Sequence, residues 1–270
     1  MQENKLILHD PLAIADVGAS GGLDKRWNDF NIKIFSFEPD DRAVFLPDLE
    51  VFKIALSDIK GKKKFNLCRK QTVSSFYEPN MELIKQFPEP EEYEASRFDV
   101  LKKIEIETDT LDNVLEGKDV DVLKIDIQGY ELPVLKGSIK TLKNVIAIET
   151  EVEFIPIYKN QPLFKDVDSF ITNQGFSLIT FRKLQYWGQQ LIWTDALYFR
   201  KPEYVKGMGE DKVLNAIKIY LAYGYFDYAK QLADAKTSDY INGFIKKARK
   251  RRFKERFWKY LWFIKTKLLK

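Results

Sequence analysis

The chain has 270 residues, a mass of 31.7 kDa and a formal net charge of +4, with 45% hydrophobic and 31% charged residues. This composition excludes the disordered, collagen-like and disulfide-stapled classes, because the single cysteine, Cys68, cannot form an internal disulfide. With one histidine, His9, the chain also has too few thiolate and imidazole ligands for a structural zinc site. The low cysteine count indicates a reducing compartment, so a soluble protein of the cytoplasm is expected.

Charge is distributed unevenly along the chain. Residues 240–270 carry twelve Lys or Arg against one acid, a net charge of +11, and the preceding residues therefore carry −7. An acidic body disfavours a nucleic-acid groove, since phosphate contacts need clustered cations. The sequence shows neither a run of 18 apolar residues nor the basic and apolar regions of a signal peptide, which also favours the cytoplasm.

The first 200 residues contain short apolar runs that predict β-strands. These runs are Leu12–Val17, Ile32–Glu38, Glu50–Leu56, Lys63–Cys68, Ile104–Thr108, Val120–Ile127, Val145–Glu149, Phe176–Thr180 and Ala196–Arg200. Several have no polar face, which is typical of a parallel sheet covered by helices on both sides. Helical patterns at Leu132–Leu142 and Phe164–Thr172 complete the alternation of a doubly wound α/β fold.

Two segments depart from this alternation. Residues 80–98 are acidic and interrupted by prolines, and we interpret them as an excursion over the sheet. Towards the C-terminus the pattern becomes wholly helical. Helices are expected at Lys212–Tyr223, at Phe226–Ala235 and from about Tyr240 onward. The sequence therefore predicts a main domain over residues 1–203 and a helical appendage over residues 204–270.

The first predicted strand runs into a glycine-rich turn. Glycines at a strand-to-helix turn let the backbone bend sharply and bring a ligand close to unpaired N–H groups. The spacing departs from the G-x-G-x-x-G dinucleotide fingerprint, which disfavours NAD, and a tight turn without a ligand is the alternative. The candidate binding residues of this turn are Asp16, Gly18, Ala19, Ser20 and Gly22.

Polar residues also follow the next two predicted strands. Glu38 comes about twenty residues after the glycines, where a carboxylate can accept hydrogen bonds from both hydroxyls of a ribose. The alternative is a solvated acid before Pro39. Ser57 and Asp58 follow the third predicted strand, where the edge of an adenine would lie in such a crevice. These spacings favour a nucleoside bound across the carboxyl edge of the sheet.

A fourth signal lies in the segment Lys124–Gly137. Because strand residues alternate between faces, Asp126 and Gln128 point the same way at the end of a strand. Ligands bind at such ends in open α/β sheets. A structural ion pair between Lys124 and Asp126 is the alternative.

These motifs together resemble the FkbM family of S-adenosylmethionine-dependent methyltransferases. The family pattern reads D-x-G-A-N-x-G, F-E-P, A-L-S-D, a Ser-Ser segment and K-I-D-x-E-G-x-E-x-x-V-L-x-G. The chain carries the five motifs in the same order, at Asp16–Gly22, Phe37–Pro39, Ala55–Asp58, Ser74–Ser75 and Lys124–Gly137. Ser20 replaces the family's asparagine. Gln128 replaces its common glutamate, so this position can act neither as a base nor as an anionic metal ligand.

The resemblance implies a Rossmann-like class I methyltransferase sheet of seven strands, the last one antiparallel, with S-adenosylmethionine across its carboxyl edge. In that arrangement Glu38 holds the ribose, Ser57 or Asp58 faces the adenine, and Asp16 and Gly18 face the amino-acid end. The implied activity is O-methyl transfer to a hydroxyl of a sugar or glycan, or of its lipid-linked precursor, as in polysaccharide biosynthesis.

A hydroxyl acceptor must lose its proton, so a general base is expected near the acceptor. His9 precedes the first strand and is remote from the carboxyl edge, which leaves the carboxylates. Asp126 at the end of one strand, and Glu149 or Glu151 at the end of the next, lie where the acceptor should enter. The catalytic candidates are ranked Asp126 first, Glu149 second and Glu131 third, and the spacing of these acids does not demand a metal. The loop after Glu153 is expected either to cover the acceptor or to be anchored in the core.

Two other functions stay open at this stage. The chain can be a non-catalytic adaptor that binds a nucleoside, because Gln128 lacks the acidic group of the family pattern. It can also be a nicotinamide-dependent oxidoreductase, which shares the sheet but needs a different glycine spacing. Binding of a nucleoside ligand without methyl transfer would favour the adaptor.

The basic C-terminal segment, residues 245–270, has an aromatic stripe. On a helix Phe253, Phe257, Leu261 and Ile264 share one face, and cations fill the other. Such a segment suits the surface of an anionic membrane, where rings lie at headgroup depth, and would make the protein peripheral on the inner face. A helix docked on the body or a partner is the alternative, nucleic acid is disfavoured, and no pattern specifies an oligomer.

Overall fold

The structure, a computed structural model, describes residues 10–19, 22–42, 50–86, 95–234 and 237–250. Pro11–Tyr204 form one compact unit, which contains the β-sheets. Asp10 and the described residues from Val205 onward belong to a second, helical unit.

The described part of the first unit contains strands that we number β1 to β10 in chain order. They are Leu12–Val17, Ile32–Phe37, Glu50–Phe52, Ala55–Leu56, Gly61–Cys68, Val100–Asp109, Val122–Ile125, Ala147–Glu153, Ser177–Trp187 and Gln190–Phe199. Seven strands form one sheet in the order β3-β2-β1-β7-β8-β10-β9, and β4, β6 and β5 form a smaller sheet. Neighbours from β3 to β8 are parallel, whereas β10 is antiparallel to both β8 and β9.

This topology confirms the predicted doubly wound α/β fold with an antiparallel last strand. The chain builds outward from β1 to β3 and then returns to add β7 on the other side of β1. The strand order therefore reverses between β1 and β7. In open α/β sheets the crevice outside the carboxyl ends at such a switch point is the usual ligand site.

The middle strands bury apolar residues on both faces, as expected for a sheet covered by helices. Ile14 in β1, Leu123 in β7 and Ile148 in β8 are fully buried. The helix Phe164–Asn173 packs Val167 and Ile171 into the core that contains Leu123 and Ile148. Shorter helices of this unit are Lys25–Asp29, Gln71–Val73, Met81–Ile84, Ala95–Phe98, Leu111–Val114, Glu131–Lys136 and Ile139–Leu142.

The sequence prediction of a single strand over Glu50–Leu56 is wrong. Glu50–Phe52 pair with β2 in the large sheet, and Ala55–Leu56 pair with the end of β6 in the small sheet. Between Phe52 and Ala55 the chain therefore passes from the large sheet to the small one, in which β6 pairs with β4 and β5. This step carries Ala55 and Leu56 to the carboxyl edge.

The predicted helix Leu132–Leu142 is also divided in two. Gly137 ends the first piece, and a Cβ there would lie 2.1 Å from the carbonyl oxygen of Ser57. The Ser138 hydroxyl donates back to the carbonyl of Val134 at 2.6 Å, as serines do when they compete with helical hydrogen bonds. The close backbone approach therefore interrupts the helix.

The second unit is helical in its described residues. Its helices are Glu210–Tyr223, Phe226–Gln231 and residues 237–250. A short helix, Pro202–Val205, lies at the boundary between the two units in the sequence. Gly224, with φ at +86°, provides the left-handed turn that ends the first of these helices. Among the residues described, no helix has the length and apolar character needed to cross a membrane. Residues 251–270, which include most of the predicted basic segment, lie outside the description.

Candidate active site

A cavity of about 430 Å³ opens at the carboxyl ends of β1, β2 and β7 and along the end of β8. Gly18 after β1, Glu38 after β2 and Asp126 after β7 contribute to its wall, so the structure brings these three predicted residues together. The cavity therefore lies at the topological switch point of the sheet.

Gly18 is required by the close approach of two strand ends. Its φ is +81°, and a Cβ at this position would lie 1.9 Å from the carbonyl oxygen of Asp126. The backbone N–H groups of Gly18 and Ala19 both donate to the carbonyl of Phe37, at 3.0 and 3.3 Å. Ala19 is buried, and Gly22 is left-handed with φ at +74°. Ser20 lies outside the described residues.

Asp16 is held by an ion pair rather than presented to the cavity. The Nζ atom of Lys124 donates to Asp16 Oδ1 at 2.8 Å. Burial alone would lower the pKa of Lys124, but the carboxylates of Asp16 and Asp126 outweigh it and keep that pKa above its ordinary value. The ion pair considered from the sequence, Lys124 with Asp126, is therefore wrong, because the direct partner of Lys124 is Asp16.

Glu38 is a buried acid with few hydrogen-bond donors to offset the cost of burying its carboxylate. Its Oε1 accepts a hydrogen bond from the backbone N–H of Asp40 at 2.9 Å, which is the one donor that the described residues provide to this carboxyl group. Burial raises the pKa of Glu38 to about 7. Asp40 is in turn paired with Arg42 at 2.6 Å, which fixes the turn after β2. The free carboxylate oxygen suits a ligand that donates hydroxyl groups.

Ser57 and Asp58 are not part of the cavity wall. The Ser57 hydroxyl lies 2.8 Å from Asp58 Oδ1 and 3.0 Å from the Tyr130 hydroxyl, and Lys63 donates to both Asp58 and Tyr130. Ile54, Ala55 and Leu56, which precede them, line the cavity instead. These three side chains give the cavity an apolar stretch of wall that suits a flat base.

The opposite side of the cavity is acidic. Asp126, Glu151 and Glu153 all contribute to the wall. Burial, and next the charge of Asp126, raise the pKa of Glu151 well above its usual value. Burial, followed by the charges of Glu131 and Asp126, does the same for the pKa of Glu153. Carboxylates in such a wall can accept a proton or offset a positive charge.

Gln128 and Tyr158 hold this acidic side together. The Nε2 atom of Gln128 donates to Asp126 at 3.2 Å and to Glu151 at 2.9 Å. The Tyr158 hydroxyl lies 3.1 Å from Gln128 Oε1 and 3.0 Å from the carbonyl of Val73. The segment that contains Val73 is thereby fixed against the strand ends.

The other two catalytic candidates from the sequence do not line the cavity. Glu131 accepts hydrogen bonds from the backbone N–H groups of Ile127 at 2.9 Å and Gly129 at 3.2 Å. Burial raises its pKa to about 7. Glu149 forms an ion pair with Arg26 at 2.9 Å. Both acids therefore have partners within the scaffold, and Asp126 is the predicted candidate that reaches the cavity.

The sequence placed Glu151 beside Glu149 at the acceptor side without ranking it, and assigned Glu153 to the following loop, although period-2 alternation in β8 places both on the same face as Glu149. Strand β8 ends four residues later than the predicted strand Val145–Glu149, and these added residues contain both acids. Tyr158, in the loop after Glu153, also lines the cavity and is buried. Among the residues described, no three His, Cys, Asp or Glu side chains are arranged to hold a metal ion.

The chain is similar to known methyltransferases. The sequence model of the methyltransferase FkbM domain matches residues 16–178, more than half of the chain. The 2-O-methyltransferase NoeI of Sinorhizobium fredii (strain NBRC 101917 / NGR234) is 28% identical over 166 residues, which cover 56% of this chain and 67% of NoeI. The crystal structure of magnesium protoporphyrin IX methyltransferase (ChlM) from Synechocystis PCC 6803 with bound SAM matches over 74% of each chain, at 8% identity and a TM-score of 0.36. Through the domain match, the chain belongs to the FkbM methyltransferase family.

Proposed function

We propose that this methyltransferase moves a methyl group from S-adenosylmethionine to a hydroxyl of a sugar or glycan, including a lipid-linked glycan precursor. The observation that carries the proposal is one cavity with two chemically different sides. A buried acid and an apolar wall lie at the ends of β2 and β4, and a group of acids lies at the ends of β7 and β8. The first side suits a nucleoside, and the second suits proton removal.

The residues of the first side fit the methyl donor of the family. Glu38 has a carboxylate oxygen that accepts no hydrogen bond from the described residues, and a ribose diol would supply two donors. Ile54 and Leu56 offer the apolar surface that an adenine requires. S-adenosylmethionine supplies an electrophilic methyl carbon, whose bond to sulfur breaks with the electron pair kept by the sulfur.

The acidic side supplies the proton acceptor. A carboxylate of Asp126 or Glu151 takes the hydroxyl proton, and the acceptor oxygen forms the new bond to the methyl carbon. Negative charge at this side also favours the positively charged donor in the cavity. Much of the rate enhancement then comes from holding the two reactants in line, as expected for a displacement reaction.

The acceptor side has aromatic as well as acidic groups. Trp193, Phe98 and Tyr158 line the same cavity as Glu151. Aromatic walls with a few convergent polar groups are typical of sites that bind small molecules such as sugars. NoeI is by its name a 2-O-methyltransferase, and this similarity supports a hydroxyl as the acceptor.

Methyl transfer from tritiated S-adenosylmethionine to a panel of monosaccharides, oligosaccharides and lipid-linked glycans tests the proposal. We expect label in at least one saccharide, released as an O-methyl sugar on hydrolysis. The matched inactive variants are Asp126→Asn and Glu151→Gln, which preserve shape and remove the base. Label only in protein, nucleic acid or non-sugar scaffolds would contradict the saccharide assignment.

A further inference from the structure

Gln128 is the residue that joins the acids of the cavity to one another. Its amide nitrogen uses both hydrogens, one towards Asp126 and one towards Glu151. Its side-chain oxygen lies 3.1 Å from the Tyr158 hydroxyl, and its backbone carbonyl accepts a hydrogen bond from Ser75 at 2.8 Å. Because ionised carboxylates only accept hydrogen bonds, the amide has a single orientation that satisfies all its partners.

The backbone conformation at Gln128 is unusual for a residue that has a side chain. Its φ is +61°, in the left-handed region that favours glycine and strains most other residues. A glutamine at such a position carries a backbone cost that glycine would avoid. The contacts of the amide group are the feature of this residue that offsets the cost.

We propose that Gln128 is a positioning residue for deprotonation of the acceptor, an inference that rests on the proposed O-methyl transfer. Its neutral amide holds Asp126 and Glu151 side by side without adding a third negative charge. The second oxygen of each carboxylate accepts no hydrogen bond from the described residues. The pair therefore presents oxygens that can take the hydroxyl proton, while the amide fixes their direction.

The charges around the pair are mostly negative, so a neutral linker limits the repulsion among them. Glu151 is surrounded mainly by other acids, on its own strand, at the end of β7 and on β10. These groups are Asp126, Glu153, Glu131 and Asp195. The cations on this side are Lys183, which pairs with Asp195 at 2.8 Å, and Arg97, which lines the same cavity. Together with burial, these charges raise the pKa of the Glu151 carboxyl group well above its usual value.

Gln128→Gly is the sharpest test, because glycine suits the left-handed backbone and the variant removes only the side chain. We expect its melting temperature to stay within a few degrees of the native value or to rise. The pKa of Glu151, followed by NMR of carboxyl-¹³C-labelled protein, should rise further by at least about one unit because the amide donor of Gln128 is lost. Asn160→Gly is the matched control, since Asn160 has φ at +60° and is exposed.

Enzymatic measurements complete the test. With the best saccharide acceptor of the panel, Gln128→Gly should lower kcat at least about tenfold, with a smaller change in acceptor KM and in adenosylhomocysteine affinity. Gln128→Glu adds a third carboxylate, so the acid limb of its kcat profile should move to higher pH. Native pKa values and native kcat in Gln128→Gly would overturn the inference. Failure of the native enzyme to bind adenosylhomocysteine would instead overturn the proposed function, because the NMR titration needs no ligand.

Discussion

At the scale of single residues, the cavity depends on a glycine, which has no Cβ, as much as on the side chains of its wall. Gly18 allows the end of β1 to touch the end of β7, since a Cβ would lie 1.9 Å from a backbone oxygen that cannot move aside independently. Glu38 and Asp126 are brought to opposite sides of one cavity by this contact. A glycine that sequence reasoning assigned to ligand approach thus also serves strand packing.

Gly18→Ala should therefore be strongly destabilising. The left-handed backbone strains alanine, and the contact with Asp126 forces the two strand ends apart, so we expect a loss of about 3 kcal/mol or more in the free energy of unfolding. Urea denaturation measures it. Gly61→Ala is the control, because nothing lies within 4 Å of a Cβ at Gly61 and its backbone is not left-handed. Equal midpoints for the two variants would contradict this account of the turn.

At the scale of elements, β8 decides which acids face the cavity. Glu149, Glu151 and Glu153 share one face of the strand, but their partners differ. Glu149 is paired with Arg26 on the scaffold, whereas Glu151 is held by Gln128 in the cavity wall. The same residue type along one strand therefore serves both structure and chemistry.

Glu151→Gln and Glu149→Gln separate these roles. Glu151→Gln removes a proton acceptor from the cavity, so we expect kcat to fall at least about tenfold with little loss of stability. Glu149→Gln removes one of the two carboxylates paired with Arg26, since Asp24 lies 2.8 Å from the same guanidinium, and we expect a loss of stability of up to about 3 kcal/mol with a smaller effect on kcat. Steady-state kinetics and urea denaturation distinguish the two. A larger kcat loss in Glu149→Gln would restore its place as the better catalytic candidate.

Elements that follow a simple apolar pattern were predictable from the sequence. Strand β1 has the predicted bounds Leu12–Val17, because an apolar run there ends at a glycine turn. Strand β8 continues to Glu153, beyond the predicted end, because buried acids at its end break the apolar pattern and are held by partners from other elements. Such partners cannot be read from local sequence.

For the candidate site, the sequence predicted the edge of the sheet but not the direction of every side chain. Strand ends at a switch point specify the edge where residues gather, and Gly18, Glu38 and Asp126 gathered there. The edge does not specify the direction of a side chain. Ser57 and Asp58 turn towards Tyr130 and Lys63 instead, and Glu131 and Glu149 find scaffold partners.

At the scale of the whole molecule, several buried acids make stability depend on pH. Burial raises the pKa values of Glu38 and Glu131 to about 7, and those of Glu151 and Glu153 well above normal. Each acid binds more protons in the folded than in the unfolded chain between about pH 4.5 and 7, so stability falls as pH rises through this range.

We expect the urea midpoint to be higher at pH 5 than at pH 8. Glu38→Gln should flatten this dependence and raise stability at pH 8 by up to about 3 kcal/mol, because it removes one costly ionisation. Glu116→Gln, at an exposed position, is the control and should leave the slope unchanged. A midpoint that rises between pH 5 and pH 8 would contradict the assignment of raised pKa values.

The basic segment concerns the whole molecule in another way. We propose that residues 245–270 bring the enzyme to the anionic inner surface of a cytoplasmic membrane, where lipid-linked glycans are found. A chain that ends at Lys250 keeps the described helix of residues 237–250 and loses eight of the basic residues. It should pellet with anionic liposomes much less than the full chain, and the difference should shrink at high salt. Equal pelleting of both chains would argue for a docked helix instead.

Calorimetric titration of adenosylhomocysteine into the native protein and Glu38→Ala, at pH 8, tests the central claim most directly. The account predicts measurable binding by the native protein and an affinity at least about tenfold weaker in the variant, since the lost carboxylate accepts hydrogen bonds from the ribose diol. Glu116→Ala should bind like the native protein. An affinity in Glu38→Ala equal to that of the native protein would contradict the placement of the nucleoside at the end of β2.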